Sequence, residues 1–145
     1  MLLYKLLLDQ MNLNGTIPDS IYHLSSLKAL RLIENEIYGQ IPKTLGKMIK
    51  LVDVDIHSNH ITGTIPDEIF DLTRIINLNF GYNNLNGTLS SSIEALPSIK
   101  GLHLSNNDLS GTIPTEIGLL GSTLGKHMKP LHESIRANTN NGNFE

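Results

Sequence analysis

One pair of aspartates in this 145-residue chain has a spacing that could support catalysis. Asp53 and Asp55 are two positions apart, so in an extended strand their carboxylates would lie on one face, roughly 7 Å from each other. General acid–base catalysis by such a pair requires burial that separates the two pKa values. We expect an open, solvated face at this point of the chain, and therefore no catalytic pair.

Six histidines suggest a second kind of chemistry, metal binding. His57 and His60 are three residues apart, but in a turn that leaves a strand, and no third ligand follows at a suitable spacing. His57 and His103 are two repeats apart and would lie about 10 Å from each other, which is too far to share one ion. The sequence also lacks a glycine-rich phosphate loop, a nucleophile elbow and a kinase signature. It therefore predicts no enzyme, no metal site and no cofactor.

The elements that position these residues belong to a motif of 24 residues that recurs five times, LxxLxLxxNxLxGxIPxx(L/I)xxLxx. A fixed period of this length is typical of a solenoid, in which each repeat buries its apolar face by stacking on its neighbours. We assign the repeats to 3–26, 27–50, 51–74, 75–98 and 99–122. The predicted fold is a repeat solenoid of the α/β type, with residues 1–122 as one repeat domain.

The apolar columns of the aligned repeats predict the elements. Seven columns contain no polar residue in any copy, and the columns that begin at Leu3, Leu6 and Leu8 are among them. The alternation in the xLxL segment indicates a short strand with one buried face. Identical strands would pair in parallel on the concave side of the arc, roughly 4.8 Å apart. The Ile-Pro pairs predict a second, irregular extended stretch, and the PxxIxxL segment then allows only a turn or two of helix or 3₁₀ on the convex side.

Two further columns predict how the turns are held. A glycine occupies one column in every repeat, as expected where the backbone needs positive φ or close approach. An asparagine column directly after the strand predicts a ladder of amides that bond to buried backbone groups. The ladder residues are Asn35, Asn59, Asn83 and Asn107, with Met11 in the first copy. Asn12 lies outside the ladder, so we expect its replacement by alanine to be nearly silent.

The LxGxIP segment after the asparagine resembles the plant-type class of leucine-rich repeats, and the resemblance covers 3–122. In that family such repeats form the ectodomains of receptor-like kinases and receptor-like proteins, and of polygalacturonase inhibitors. The family's usual cysteine-paired caps are absent, since the chain has no cysteine. The resemblance implies a non-catalytic module that binds a peptide or a protein, as a fragment or short relative of a receptor-like ectodomain. The alternatives are an inhibitor of a secreted enzyme, or a truncated product whose repeats associate only with other repeats.

The columns between the strand leucines vary from repeat to repeat, which is expected of an exposed concave face. We expect a ligand to bind at the centre of this face. The candidate residues are Arg31, Asp53, Asp55, His57, Asn79, Tyr82 and His103. Arg31 neighbours Asp55 in the adjacent strand, so we expect a solvated ion pair between them. A peptide with at least one basic residue would complement the two aspartates.

Composition limits the partners and the location. The net charge is −3 without a basic patch, which argues against nucleic acid as a partner. No apolar run approaches the length that direct membrane insertion requires. The N-terminal residues are interpreted as the first strand and not as a signal peptide, so the compartment is left open: extracellular or cell-surface if the chain is part of a receptor. Asn14 and Asn86 begin possible N-glycosylation sequons, but chance alone explains two.

The last expectations concern the two ends of the solenoid. Nothing precedes the first repeat to cover Leu3, Leu6 and Leu8, so we expect self-association through this uncapped edge, or poor solubility, when the chain is expressed alone. Residues 123–145 lose the repeat phase and form a separate tail. For this tail we expect either a closing helix over the last repeat or a frayed, partly disordered segment.

Overall fold

A computed structural model describes residues 2–120, and it has one short strand per repeat on the concave side. The strands are β1 (Lys5–Leu7), β3 (Ala29–Arg31), β5 (Asp53–Asp55), β7 (Asn77–Asn79) and β9 (Gly101–His103). They pair in parallel in chain order, and each residue lies opposite the residue 24 positions later, as Leu6 does with Leu30. The repeat period therefore sets the register of this sheet, and the predicted repeat arc is confirmed.

A second parallel sheet flanks the first. The sequence predicts an irregular extended stretch at the Ile-Pro pairs, whereas the strands of this sheet end before those pairs. Its strands are β2 (Asn14–Gly15), β4 (Glu36–Gln40), β6 (His60–Gly63), β8 (Asn84–Gly87) and β10 (Asp108–Leu109). Partners here are 22 positions apart, as Tyr38 and His60 are. Exposed Glu36, buried Ile37 and exposed Tyr38 show the period-two alternation that was the missed signal.

Within residues 2–120 the convex side consists of five 3₁₀ helices. They span Asp19–His23, Lys43–Lys47, Asp67–Asp71, Ser91–Ala95 and Thr115–Leu120. The first three follow directly after a proline, whose fixed φ suits a helix start. In the fourth repeat Ser90 replaces that proline, and its hydroxyl accepts a hydrogen bond from the Ser92 N–H at 3.2 Å. Serine thus caps the helix by a bond where proline does so by its geometry.

The core lies between the two sheets and the 3₁₀ helices, and it is complete only where a repeat has a neighbour on both sides. Leu30, Val54 and Leu78 are 0–1% exposed. Leu3, which was predicted to be interior, is 39% exposed, because none of residues 2–120 stacks on the outer side of the first repeat. Leu6 is only half-buried for the same reason and lines an apolar recess of about 480 Å³ at this end.

The asparagines after the concave strands are buried and bond to the backbone of two repeats each. Asn83 is representative: its Nδ2 donates to the carbonyl oxygens of Phe80 and Gly81 in its own repeat, both at 3.2 Å. The same amide donates to the Ile56 carbonyl of the preceding repeat at 3.1 Å. Its Oδ1 accepts the Ile61 N–H at 3.0 Å. Each amide therefore ties one turn to the next.

Glycine recurs at one position of the repeat for two physical reasons. Gly39 and Gly87 have φ values of 83° and 79°, a region that other residues adopt at a cost. A Cβ at Gly39 would also lie 2.9 Å from the Thr16 Cγ2 of the preceding repeat. A second positive-φ column precedes the asparagines and was not predicted. Its members are Gln10, Glu34, Ser58, Tyr82 and Asn106.

The predicted limit of the repeat domain at residue 122 and the tail 123–145 lie outside the described residues. They stay predictions. None of the helices in residues 2–120 is long and apolar enough to span a membrane.

We predict that Asn83→Ala destabilises the protein by about 1–3 kcal/mol, because it leaves the buried Ile61 N–H without an acceptor. The matched control is Asn84→Ala, since Asn84 is exposed and adjacent. The Asn12→Ala change that the sequence suggested is a poorer control: Asn12 has a φ of 52°, which asparagine tolerates better than alanine. Urea unfolding followed by circular dichroism measures both variants. Equal losses of stability at positions 83 and 84 would contradict the ladder.

Candidate binding surface on the concave sheet

The concave surface is built from the first and third residues of each strand, because the middle residue of β5, β7 and β9 is buried. The register aligns these residues in two rows across the sheet. One row runs from Asp53 through Asn77 to Gly101. The second row is Arg31, Asp55, Asn79 and His103. The third to fifth repeats therefore present a polar surface on rigid neighbouring strands.

Asp55 lies at the centre of this surface and is more covered than the sequence suggested. Its side chain is 13% exposed. Oδ1 accepts from the His57 Nδ1 at 2.7 Å and from the His57 backbone N–H at 3.3 Å. Oδ2 accepts from the Asn79 Nδ2 at 3.2 Å. The structure thus brings together three of the predicted residues, Asp55, His57 and Asn79.

The expected ion pair between Arg31 and Asp55 is wrong. The Arg31 Nη2 lies 3.3 Å from the Asp9 Oδ2, in the preceding repeat. His57 and Asn79 already use both oxygens of Asp55, so that carboxylate has less to offer a cation. Asp9 also accepts the Ile33 N–H at 3.2 Å, which holds its carboxylate at the strand end. The sequence does not predict this pair, because Leu7 and not Asp9 lies directly opposite Arg31 in the sheet.

Asp53 pairs with a residue that the sequence analysis did not select. The Asn77 Nδ2 donates to the Asp53 Oδ1 at 2.8 Å across the two strands. The pair repeats the arrangement of Asp55 and Asn79, with the acid in the third repeat and the amide in the fourth. Because a carboxylate only accepts hydrogen bonds, each aspartate fixes which end of the neighbouring amide faces it.

The remaining predicted residues lie farther along the surface. Tyr82 follows β7 with a φ of 53° and is 60% exposed. Its backbone N–H donates to the Ser105 carbonyl at 2.8 Å, so the turn that carries it is tied to the fifth repeat. His103 is half-buried at the end of β9. The glycosylation sequons lie apart from this surface: Asn14 and Asn86 are exposed on the second sheet.

His57 and His60, two of the three histidines considered for metal binding, contact different partners. His57 bonds to Asp55 on the concave surface, whereas the His60 Nε2 lies 3.2 Å from the Glu36 Oε2 on the second sheet. Within residues 2–120 no three His, Asp or Glu side chains come close enough to hold a metal ion.

Comparison with known proteins identifies the fold. The Leucine Rich Repeat family model matches residues 50–72 and 98–120. No curated protein matches the sequence. A chain of the BIR3–SERK2 complex from Arabidopsis thaliana superposes with a TM-score of 0.76 and 35% identity over 81% of this chain. The BIR2 ectodomain from the same plant gives a TM-score of 0.75 and 34% identity over 77%. The chain is a plant-type leucine-rich repeat protein.

This leucine-rich repeat protein corresponds to only part of these structures. It covers 63% of the matched chain of the BIR3–SERK2 complex and 59% of the BIR2 ectodomain. The Arabidopsis receptor kinase HAESA, solved with the peptide hormone IDA and the co-receptor SERK1, gives a TM-score of 0.80 at 33% identity. That match covers 83% of this chain and 20% of the solved one. The likeness thus extends over most of the described repeats.

We predict that neutral His57 carries its proton on Nδ1, because Asp55 can only accept a hydrogen bond. Long-range ¹H–¹⁵N NMR of the imidazole distinguishes the two tautomers. Asp55→Ala should convert His57 to the Nε2–H form that a free histidine side chain prefers, whereas Asp53→Ala should leave it unchanged. His60 serves as the internal reference, since its Nε2 faces Glu36. An Nε2–H tautomer of His57 in the unmodified protein would contradict the geometry.

Proposed function

We propose that the protein is a non-catalytic recognition module whose concave surface binds a peptide or an extended segment of a partner protein. The observation that carries this proposal is the set of side chains around Asp55 and Asp53, which are bonded to one another across neighbouring strands. These polar groups are held in place before a ligand arrives, so binding would order few side chains. The hydrogen bonds between carboxylates and amides do not place a nucleophile or a pair of catalytic groups.

The dimensions of the surface favour a peptide. Five parallel strands at roughly 4.8 Å span about 19 Å between the outer strands, the length of about six extended residues. A standard protein–protein interface requires about 800 Å² on each side, which is large for three-residue strands. The match to HAESA, whose solved complex contains a peptide hormone, supports the same class of ligand.

The charges of the surface favour a ligand with a basic residue. Asp53 and Asp55 lie at its centre, and Arg31 is paired with Asp9. A basic ligand would gain from the two central carboxylates, and its binding should weaken as salt is added, because these groups are partly exposed. We place the chain among receptor-like ectodomains, as a fragment or a short relative of one.

We predict that a peptide-library selection against the protein enriches sequences that depend on the concave surface. The test variant is the triple substitution Arg31→Ala, Asp55→Ala and Tyr82→Ala. The matched control is Tyr22→Ala, Lys47→Ala and Asp67→Ala, which removes the same kinds of side chain from exposed positions on the convex helices. Enrichment should disappear for the test variant and persist for the control. The same peptides with the same enrichment on the test variant would show that this surface is not the site.

A second role, association between repeats, is favoured by the first repeat. Strand β1 pairs only with β3, so one of its backbone edges has no partner within residues 2–120. Exposed apolar side chains lie in or near this strand. They are Leu2, Leu3, Tyr4, Leu7 and Met11. We infer that the chain, when it is expressed alone, associates with a second copy through this end.

We predict that the protein self-associates at micromolar concentration and that the double change Leu7→Lys and Met11→Lys suppresses it, because lysine blocks edge pairing. Ile49→Lys together with Ile76→Lys is the control, since both residues are exposed elsewhere on the molecule. Light scattering across a concentration series gives the oligomeric state. A monomer at high micromolar concentration, or equal suppression by the control, would contradict association through this end.

A further inference from the structure

Four exposed cations lie along one edge of the solenoid, where the chain passes from a convex helix into the next concave strand. They are Lys28, Lys50, Arg74 and Lys100. No basic patch is visible in the sequence, because these residues are 22, 24 and 26 positions apart along the chain. The repeat brings them onto neighbouring strands, so a surface of one charge forms on a protein whose net charge is −3.

Backbone hydrogen bonds fix the spacing of this edge. The Val52 N–H donates to the Lys28 carbonyl and the Ile76 N–H donates to the Val52 carbonyl, each at 2.8 Å. The Lys100 N–H donates to the Ile76 carbonyl at the same distance. Lys28 and Lys100 therefore precede the first and last of four successive strands, about 14 Å apart. Between them lie two apolar side chains, half-buried Val52 and Ile76, which is 38% exposed.

Lys50 and Arg74 occupy tight turns just before these apolar residues. The Leu51 N–H donates to the Met48 carbonyl at 2.9 Å and closes the turn around Lys50. The turn around Arg74 is built in the same way. The cations thus lie on three sides of the apolar pair, and the concave sheet lies on the fourth. We call the four cations and the apolar pair together the basic edge.

The four cations of the basic edge have no ion-pair partner within residues 2–120. The ion pairs that lysine and arginine form in this part of the chain lie elsewhere, on the concave sheet and on the convex helices. Asp71 is exposed three residues before Arg74 but does not pair with it. The Lys28 Nζ lies over the Tyr4 ring, 5.6 Å from its centre. Unpaired like charges on neighbouring strands repel each other, so this edge attracts anions.

We propose that the basic edge binds an extended acidic segment of a partner protein, in which an apolar residue has an acidic residue two positions away on each side. Side chains at i, i+2 and i+4 of such a segment share one face, and the outer two are about 13 Å apart. This length matches the separation of Lys28 and Lys100, which would each meet one carboxylate. The apolar side chain would cover Val52 and Ile76.

The apolar pair distinguishes this ligand from other anions. A single nucleic acid strand gains from aromatic side chains on which its bases stack, whereas the centre of the basic edge is aliphatic. A small anion such as phosphate would leave Val52 and Ile76 uncovered. The basic edge shares no residue with the candidate surface on the concave sheet, so it is a second site with the opposite charge preference.

The test uses a blocked peptide, Ser-Glu-Ser-Leu-Ser-Glu-Ser, in surface plasmon resonance on the immobilised protein. We expect saturable binding that weakens as salt is added. Two peptides of the same length are controls. Ser-Glu-Glu-Leu-Ser-Ser-Ser keeps the charge but not the spacing, and Ser-Glu-Ser-Ser-Ser-Glu-Ser lacks the apolar residue. Both should bind severalfold more weakly, and equal binding of all three peptides would overturn the proposal.

Lys28→Glu with Lys100→Glu is the decisive variant, because it reverses the two charges that the carboxylates should meet. We expect the dissociation constant to rise at least about tenfold, as two attractive pairs become repulsive. Ser-Lys-Ser-Leu-Ser-Lys-Ser should bind this variant instead. The matched control, Lys5→Glu with Lys43→Glu, changes the net charge equally at exposed positions on other surfaces and should keep its affinity. Equal losses in both variants, or no loss in the first, would overturn the proposal.

Ile76→Ser tests the apolar contact without a change of charge. It should weaken the binding of the peptide with leucine and leave the binding of the peptide without leucine unchanged. An identical effect on both peptides would contradict a contact between leucine and Ile76. Single-stranded DNA and vesicles of anionic lipid are tested in parallel. If either bound the protein through Lys28 and Lys100 while the acidic peptide did not bind, the proposed partner would be wrong.

Discussion

The structure depends on one requirement, that backbone groups turned into the core must find partners there. At the end of every concave strand the chain bends inward, and its N–H and C=O groups leave water. A buried asparagine solves this problem at each interior turn, because a carboxamide can donate and accept at once. Asn59 shows the consequence: its Nδ2 donates to Ile56 and His57 in its own repeat and to Leu32 in the preceding one. The bonds that satisfy one turn therefore also fix the distance to the next.

That fixed distance between repeats is reflected in the register of the two sheets. The concave strands keep a register of 24 residues, whereas the flanking strands pair residues 22 apart, as Asn14 and Glu36 do. The inner leucines are almost fully buried and accept little variation. The first and third residues of each concave strand meet no such restriction, so they are free to carry a binding surface. The proposed binding surface thus uses the positions that contribute least to stability.

The sequence predicts those features that depend on residues in the same column. The repeat arc, the glycine turns and the short convex helices are of this kind, since each recurs at one position of the motif. The partner of Arg31 was not predictable in this way. Asp9 lies in the preceding repeat, in a column two positions after the column of Arg31. A contact between different columns depends on side-chain rotamers and on which groups compete for Asp55. The aligned columns give information on neither. Asn77 was not selected either, although it lies directly opposite Asp53 in the register that the repeats predict.

Asp53 and Asn77 show how a variable surface can acquire a definite polarity. A carboxylate attracts donors in any direction, but an amide bonded to it becomes an acceptor in one direction only. The bond polarises the amide, so the far oxygen presents more negative charge to whatever lies beyond it. The acid in the third repeat therefore orients the amide of the fourth repeat so that its oxygen lies against Gly101 of the fifth. Because the strand register fixes this spacing, the fold itself determines where the acceptor is presented.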